Sequence, residues 1–572
     1  MKIFFFTATT AVLLFCSVSF AENSASFDWF SYEGKDGIFD EKLKEDHYFN
    51  PIIAGYYPDP SIVRVEDDYY LVNSSFAYFP GLPIFHSKDL VHWQQIGHAL
   101  NRRSQLTFEK GQAISHGIYA PTLRYHDGLF YIITTDVYGI GNFYISAQNP
   151  AGPWSEPVTL PEIGGIDPDL FFDDDGRVYI AHNNGPEGTP LYEGHRAIWL
   201  WEFDLKHKKV IKDSGRVIVN GGVDISKKPI WIEGPHIYKV KGWYYLSCAE
   251  GGTGDDHSEV IFRTKNLNEP FIPYESNPIL TQRDLHKGRT NPVTSVGHAD
   301  FVETATGDWW AVFLGVRPYF DKSDGHQYHN TGRETFMLPL GWENGWPRIL
   351  KAQTVLPLQV DKPHIATSAN VKNVPPQTGN FSWQDGFNTE ALQANWVSLR
   401  TSPLSWYELD NKKGILNLQA QAYTLKDKVQ PSYLGRRQQH QNFRASTKLI
   451  ALSGNQISAG LVLFQNSDYH YYLGLKKQGN TYSLFLEETL AGKTTVTQQK
   501  NIKLGKDKGI ILGAKQVDAN LNFFYIDKAG KEKVFASDIP ASNISTQRAG
   551  GFVGVTIGLH SRLAEAVPGK SI

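Results

Sequence analysis

What the chain has little of narrows its chemistry first. It carries two cysteines in 572 residues, and one of them, Cys16, lies inside an N-terminal apolar run. Downstream only Cys248 remains, so no intrachain disulfide can form there. Cys248 ends the strand-like run Trp243-Tyr244-Tyr245-Leu246-Ser247-Cys248 and reads as a small buried hydrophobe, not an active thiol. Charge of one sign is also lacking. The net charge is -3 and no basic stretch stands out, which excludes an electrostatic grip on nucleic acid or an anionic membrane. No pair of histidines at helical spacing accompanies a carboxylate, so a zinc enzyme has no support. The stretch Gly251-Gly252-Thr253-Gly254 lacks the lysine and following helix of a phosphate-binding loop.

Long apolar runs are scarce as well. One exists, Ile3 to Phe20, preceded by Lys2 and closed by Ser19-Phe20-Ala21 before the polar Glu22-Asn23-Ser24. This is the pattern of a cleaved signal peptide over residues 1–21. A membrane anchor would show stop-transfer charges, and a lipidated Cys16 would follow a small residue, not Phe15. The expected product is an exported protein, periplasmic or extracellular, with no membrane insertion of the mature chain.

Aromatic residues are plentiful, at 13% with 14 Trp. They fill β-rich cores, and their faces also suit sugar rings. Residues 46–355 read as short strands between Gly, Asp and Asn turns, with little helical periodicity. A turn-then-aromatic pattern recurs as Asp67-Asp68-Tyr69-Tyr70-Leu71, Gly128-Leu129-Phe130-Tyr131-Ile132 and Gly176-Arg177-Val178-Tyr179-Ile180. It returns as Gly242-Trp243-Tyr244-Tyr245-Leu246 and Gly307-Asp308-Trp309-Trp310-Ala311. Further hairpins follow some copies, as at Ser87 to Trp93 and Asn149 to Trp154. Five such units predict a five-bladed β-propeller.

Twelve residues before Tyr131, Tyr179, Tyr245 and Trp310 stand Tyr119, Asp167, Glu233 and His298, and eleven before Tyr70 stands Asp59. The expectation is that these five are equivalent, one at the start of each innermost strand, around the central channel. Singly, each has a plain structural explanation. Asp before Pro is common where an extended segment begins, and a lone His usually satisfies a structural need. Together, three carboxyl groups around one channel repel one another and are expensive to desolvate. Such a cluster drives pKa values apart, leaving one group protonated while another stays charged.

At these residues the chain resembles glycoside hydrolase family 43. Tyr57-Pro58-Asp59-Pro60-Ser61, Gly165-Ile166-Asp167-Pro168-Asp169-Leu170-Phe171 and Glu233-Gly234-Pro235-His236 are similar to its three acidic motifs. Phe79-Pro80-Gly81, His86 to Leu90, Ala249 to Thr253, Gly297-His298-Ala299 and Gly332-Arg333-Glu334-Thr335 extend the match. The resemblance is to the two-domain arabinofuranosidase and xylosidase branch. It implies an inverting hydrolase with Asp59 as general base, Glu233 as general acid, and Asp167 orienting Glu233 and keeping its pKa raised. It implies Phe76 and Tyr119 as walls of the sugar pocket and Arg333 as a hydrogen-bond donor to sugar hydroxyls. His298 would face a central water or an optional structural calcium ion; no cofactor is required.

Beyond residue 355 the texture changes. Residues 356–382 read as a linker, and Trp383-Gln384-Asp385-Gly386-Phe387 and Leu434 to Gln439 resemble the β-sandwich that follows the propeller in that branch, here over 383–572. The tail from Ser561 lacks the apolar alternation of a closing strand, whereas Phe27-Asp28-Trp29-Phe30-Ser31-Tyr32 alternates. The N-terminal segment, residues 22–45, is therefore expected to complete the sandwich. The first functional reading is release of terminal α-L-arabinofuranosyl units from hemicellulose-derived oligosaccharides, and the second is β-D-xylosidase activity. Fructan-cleaving propellers typically show Asn-Asp-Pro-Asn, Arg-Asp-Pro and Glu-Cys motifs, which are absent. A non-catalytic sugar-binding propeller would be favoured by loss of an acidic residue, and all three are present.

Overall fold

The computed structural model describes residues 23–108, 111–365, 375–400, 406–505 and 509–564. The signal-peptide expectation for residues 1–21 falls outside them. The chain is all-β and forms a five-bladed propeller followed by a β-sandwich.

Each blade is a continuous stretch of sequence, laid down from the channel outwards. The first holds Ser61–Val65, Asp68–Val72, Gly81–Ser87 and Gln94–Leu100. The inner strands of the other four are Thr122–His126, Ile166–Phe172, Glu233–Val240 and Thr294–Glu303. Each pairs antiparallel with the strand carrying its aromatic anchor, at Tyr131, Tyr179, Tyr245 or Trp310. Covered by neighbouring blades, these anchor strands are buried along most of their length, at residues such as Leu71, Ile132, Ile180, Leu246 and Val312. Each is worth roughly 1.5–3 kcal/mol of burial. The ring closes where the segment before blade one runs along blade five. Ile52 and Ile53 donate backbone N–H groups to Thr335, and Asn50 and Tyr48 reach the Met337 carbonyl.

The register corrects one expectation. Val63, Arg124, Phe171, Tyr238 and Val302 face the aromatic anchors across their hairpins. Four residues before them stand Asp59, Ala120, Asp167, Gly234 and His298. Tyr119 and Glu233 therefore lie one residue upstream of the equivalent positions. The cause is hairpin length: Val65↔Asp68, His126↔Leu129 and Val240↔Trp243 close over two residues, whereas Phe172↔Val178 and Glu303↔Trp309 close over five.

The sandwich draws on three parts of the chain. Ser24–Gly34 lies within one sheet, paired with Phe381–Asp385 and Ile415–Gln419 on one side and Phe443–Leu452 on the other. Its Phe27 and Phe30 are fully buried. In the other sheet Thr556–Leu563 runs between Gln456–Asn466 and Ser432–Arg437. The tail thus does supply a strand up to Leu563, against the reading of its composition; residues 565–572 lie outside the described residues. That strand lacks apolar alternation because Ser561 and Arg562 are buried polar groups, Arg562 pairing with Glu487 at 2.6 Å. Within the expected linker, Gln359–Asp361 pairs with His47–Phe49 of the propeller. The propeller also extends the sandwich, since Tyr78–Phe79 pairs with Val397–Leu399.

Candidate active site

The inner strands begin around a cavity of about 330 Å³ lined by thirteen residues. Asp59, Asp167, Glu233 and His298 line it together with Phe76, Tyr119 and Arg333. Every residue singled out by sequence is therefore brought together. Five lining residues other than glycine, Asp59, Phe76, Asp167, Trp231 and His298, have φ between 50° and 55°. Side chains avoid this left-handed region, at roughly 1–3 kcal/mol each, and such strain collects at functional sites. Gly234 shares it at 55°, and there a Cβ would lie 2.8 Å from His298 Nε2. Only glycine lets the strand after Glu233 approach the imidazole so closely.

The three carboxyl groups are buried, but their surroundings differ. Asp59 Oδ1 accepts a hydrogen bond from Arg333 Nη1 at 2.8 Å, and Asp59 Oδ2 accepts one from Ser74 Oγ at 2.5 Å. Burial pushes the Asp59 carboxyl up, but the Arg333 guanidinium, the neighbouring His298 and the Ser74 hydroxyl together outweigh it and hold the group below its ordinary value. Glu233 moves the other way: burial, then the Asp59 charge, push it up to about 7 against the pull of Arg333 and Arg196. Asp167 is also pushed well up, by burial first and then by Glu233 and Asp59. Asp167 Oδ2 accepts the Gly234 N–H at 3.3 Å, a bond that offsets only part of that rise.

His298 is held neutral, its pKa lowered to about 3 by burial. Its Nδ1 lies 3.9 Å from Asp59 Oδ1. Among the described residues no group of three or more His, Cys, Asp or Glu side chains could hold a metal ion. One imidazole does not make a calcium shell, which takes six or more oxygens, so the side chains present do not fit that ion.

Sequence reasoning missed several walls. Trp231 stands two residues before Glu233, with the Arg196 guanidinium 4.0 Å from its ring centre. Gly252 and Thr253 also line the cavity, from the glycine-rich stretch set aside as a phosphate loop. Phe552 comes from the sandwich. Its ring stacks on Phe76 at 6.2 Å, meets Tyr119 edge-on at 5.8 Å, and lies 5.7 Å from the Arg333 guanidinium. Its loop is seated by Phe552 N–H to Ser115 Oγ at 3.0 Å and Val555 N–H to the Asn330 carbonyl at 2.7 Å. A Cβ on Gly332 would lie 2.9 Å from Gly554 N, so the two domains meet backbone to backbone beside Arg333. Cys248 is buried and free.

Comparison with known proteins agrees with this geometry. The model of "Glycosyl hydrolases family 43" matches residues 48–347, and that of "Beta xylosidase C-terminal Concanavalin A-like domain" matches 384–564. The chain is 40% identical over 519 residues to a "Xylosidase/arabinosidase" of Butyrivibrio fibrisolvens, covering 90% of this chain and 95% of that one. It is 36% identical over 530 residues to a "Non-reducing end alpha-L-arabinofuranosidase" of Bacteroides ovatus, covering 91% and 92%. A solved GH43_12 structure retrieved from a capybara gut metagenome superposes with a TM-score of 0.87 at 41% identity, covering 95% of this chain and all of that one. The propeller, its three acids and the matched models together show that the chain belongs to glycosyl hydrolase family 43 and is a glycosidase.

Proposed function

We propose that the enzyme is an exo-acting, inverting hydrolase that removes terminal α-L-arabinofuranosyl units from hemicellulose-derived oligosaccharides. The observation that carries this reading is the opposed ionisation of Asp59 and Glu233 within one small, aromatic-walled cavity. In the proposed reaction the Asp59 carboxylate takes a proton from a water molecule, whose oxygen bonds to the anomeric carbon. The bond from that carbon to the leaving oxygen breaks, and Glu233 gives its proton to that oxygen. Asp167 orients Glu233, and the Asp59 charge helps keep the acid protonated. Phe76, Tyr119 and Phe552 supply faces for the sugar ring, and Arg333, already bonded to Asp59, donates to hydroxyls. A cavity walled on one side by Phe552 favours a chain end over the middle of a polymer.

The arabinofuranoside preference is supported by Phe76 to Gly81 and by the similarity to the Bacteroides ovatus enzyme. β-D-Xylosidase activity is the second reading, favoured by relatives such as the "Putative beta-xylosidase" of Escherichia coli, 35% identical over 436 residues. Export to the periplasm or medium through removal of residues 1–21 is part of the proposal; N-terminal sequencing of the cell-derived protein tests it. Release of 4-nitrophenol from the α-L-arabinofuranoside and the β-D-xyloside by the purified protein tests the activity. A faster arabinofuranoside rate supports the first reading, a faster xyloside rate the second, and no turnover by folded protein sinks both. The anomer first released, followed by NMR, reports inversion or retention.

A further inference from the structure

Below the three carboxyl groups a second layer of side chains joins all five inner strands. Two residues beyond Asp59, Asp167, Gly234 and His298 stand Ser61, Asp169, His236 and Asp300, and four beyond Ala120 stands Arg124. Side-chain contacts tie this layer together: Arg124 reaches Asp169, Asp300 and His236, and Ser61 reaches Asp300. Asp300 Oδ2 accepts from Ser61 Oγ at 2.6 Å and from the Ile62 N–H at 3.0 Å, binding the strand that follows Asp59. Asp169 Oδ2 accepts the Ile237 N–H at 2.9 Å, binding the strand that begins at Glu233. The first carboxylate thus belongs to the Asp59 side of the channel and the second to the Glu233 side. Both have fully buried side chains.

Arg124 connects the two sides. Its Nη1 donates to Asp300 Oδ2 at 3.1 Å, and its Nη2 lies 2.7 Å from Asp169 Oδ1 while donating to His236 Nδ1 at 3.1 Å. A second tie crosses the same gap, since the Tyr238 hydroxyl donates to Asp300 Oδ1. The planar guanidinium hydrogen-bonds Asp300 through one nitrogen and pairs its charge with Asp169 at 2.7 Å through the other, which fixes the spacing of the two carboxylates; a lysine ammonium on a flexible stem fixes none.

We propose that Arg124 is a positioning residue that sets the separation of Asp59 from Glu233 through Asp300 and Asp169. The inference rests on the acid and base roles proposed above. Inversion needs a gap that admits one water between carboxylate and sugar, and a misplacement of about 1 Å costs about 100-fold in rate. A misplaced acid penalises substrates whose leaving group needs protonation most.

The test compares the native chain with Arg124→Lys on two substrates: a 4-nitrophenyl glycoside, whose leaving group needs little help, and a disaccharide with the same terminal sugar. The melting temperature is recorded for each protein. The expected result is a kcat about 100-fold lower on the disaccharide but only about tenfold lower on the aryl glycoside, with KM within about threefold on both. Tyr238→Phe, which deletes one hydroxyl, should show the same bias on a smaller scale and serves if Arg124→Lys does not fold. Equal losses on the two substrates, or an unchanged kcat beside a lower melting temperature, would overturn the inference and leave Arg124 a structural keystone. Native turnover with equal losses overturns this inference alone, whereas a native chain inactive on both substrates overturns the proposed function and the inference with it.

Discussion

Asp59 and Glu233 are buried in the same cavity, at 5% and 7% exposure, yet their carboxyl groups are driven in opposite directions. Burial alone would raise both. The difference lies in what each touches: Arg333 and Ser74 reach Asp59, while Glu233 faces the Asp59 charge with its cations at longer range. A cavity of one shape and one dielectric can therefore hold a base and an acid at once, provided the donors are placed asymmetrically.

The largest expected effect breaks the comparison directly. Glu233→Ala should lower kcat on a disaccharide roughly 10³-fold, and much less on a 4-nitrophenyl glycoside, because only the former needs a proton on its leaving oxygen. Asp59→Asn should lower both rates by a similar roughly 10³-fold, because water attack is needed whatever the leaving group. A leaving-group dependence in Asp59→Asn and none in Glu233→Ala would exchange the two roles.

The pH profile sharpens the same contrast. Under these roles the active form has Asp59 charged and Glu233 protonated. The rate should fall as pH rises through about 7 and should hold on the acidic side until pH drops below the ordinary carboxylate value. Removing the Arg333 charge in Arg333→Gln should raise both groups, since this cation lowers each of them. Both limbs of the kcat/KM profile should then move to higher pH. A shift of the acidic limb alone would mean that Arg333 does not act on Glu233.

Much of this was legible beforehand because a propeller repeats. Each inner hairpin carries an aromatic two or three residues after its turn, and counting from those anchors brought Asp59, Asp167, Glu233 and His298 together across 240 residues of sequence. The counting slipped by one at Tyr119 and Glu233 because a constant offset cannot absorb loops of two and five residues. The slip also has meaning: Glu233 precedes the left-handed position that Asp59, Asp167 and His298 occupy, and Gly234 takes that strain instead. Phe552 could not be found by any periodicity, since it belongs to the other domain and reaches the cavity only through the approach of Gly554 to Gly332. The strand Thr556–Leu563 was hidden because it buries polar residues, His560, Ser561 and Arg562, the last paired with Glu487.

Phe552 extends the comparison from two carboxyl groups to two domains. Phe552→Ala should weaken kcat/KM about tenfold, equivalent to about 1.4 kcal/mol, while leaving the pH limbs in place, because no titrating group is altered. An unchanged kcat/KM would reduce the sandwich to a support for the propeller. That support is itself measurable: deleting residues 22–45 removes a strand with paired neighbours on both sides and should lower the melting temperature markedly. An unchanged melting temperature would mean the sandwich closes without it.

The smallest expected effect concerns stability. A carboxyl group whose pKa is raised by folding contributes fully below its unfolded value near 4.5, and that contribution is lost as pH rises through about 7. Above that pH the native chain holds an extra buried charge beside Asp59 and Asp167. Glu233→Gln keeps the shape and cannot ionise, so it should melt at a higher temperature than the native chain at pH 8. The two should converge as the pH falls towards 4.5. Asp59→Asn should do the reverse: a depressed group stabilises above its unfolded value, so its loss should lower the melting temperature at neutral pH and matter less in acid. Opposite signs for two isosteric substitutions in one cavity would mean the asymmetry needed for acid and base chemistry is maintained against folding at one carboxyl and by folding at the other; equal signs would mean the contrast between Asp59 and Glu233 is not electrostatic in origin.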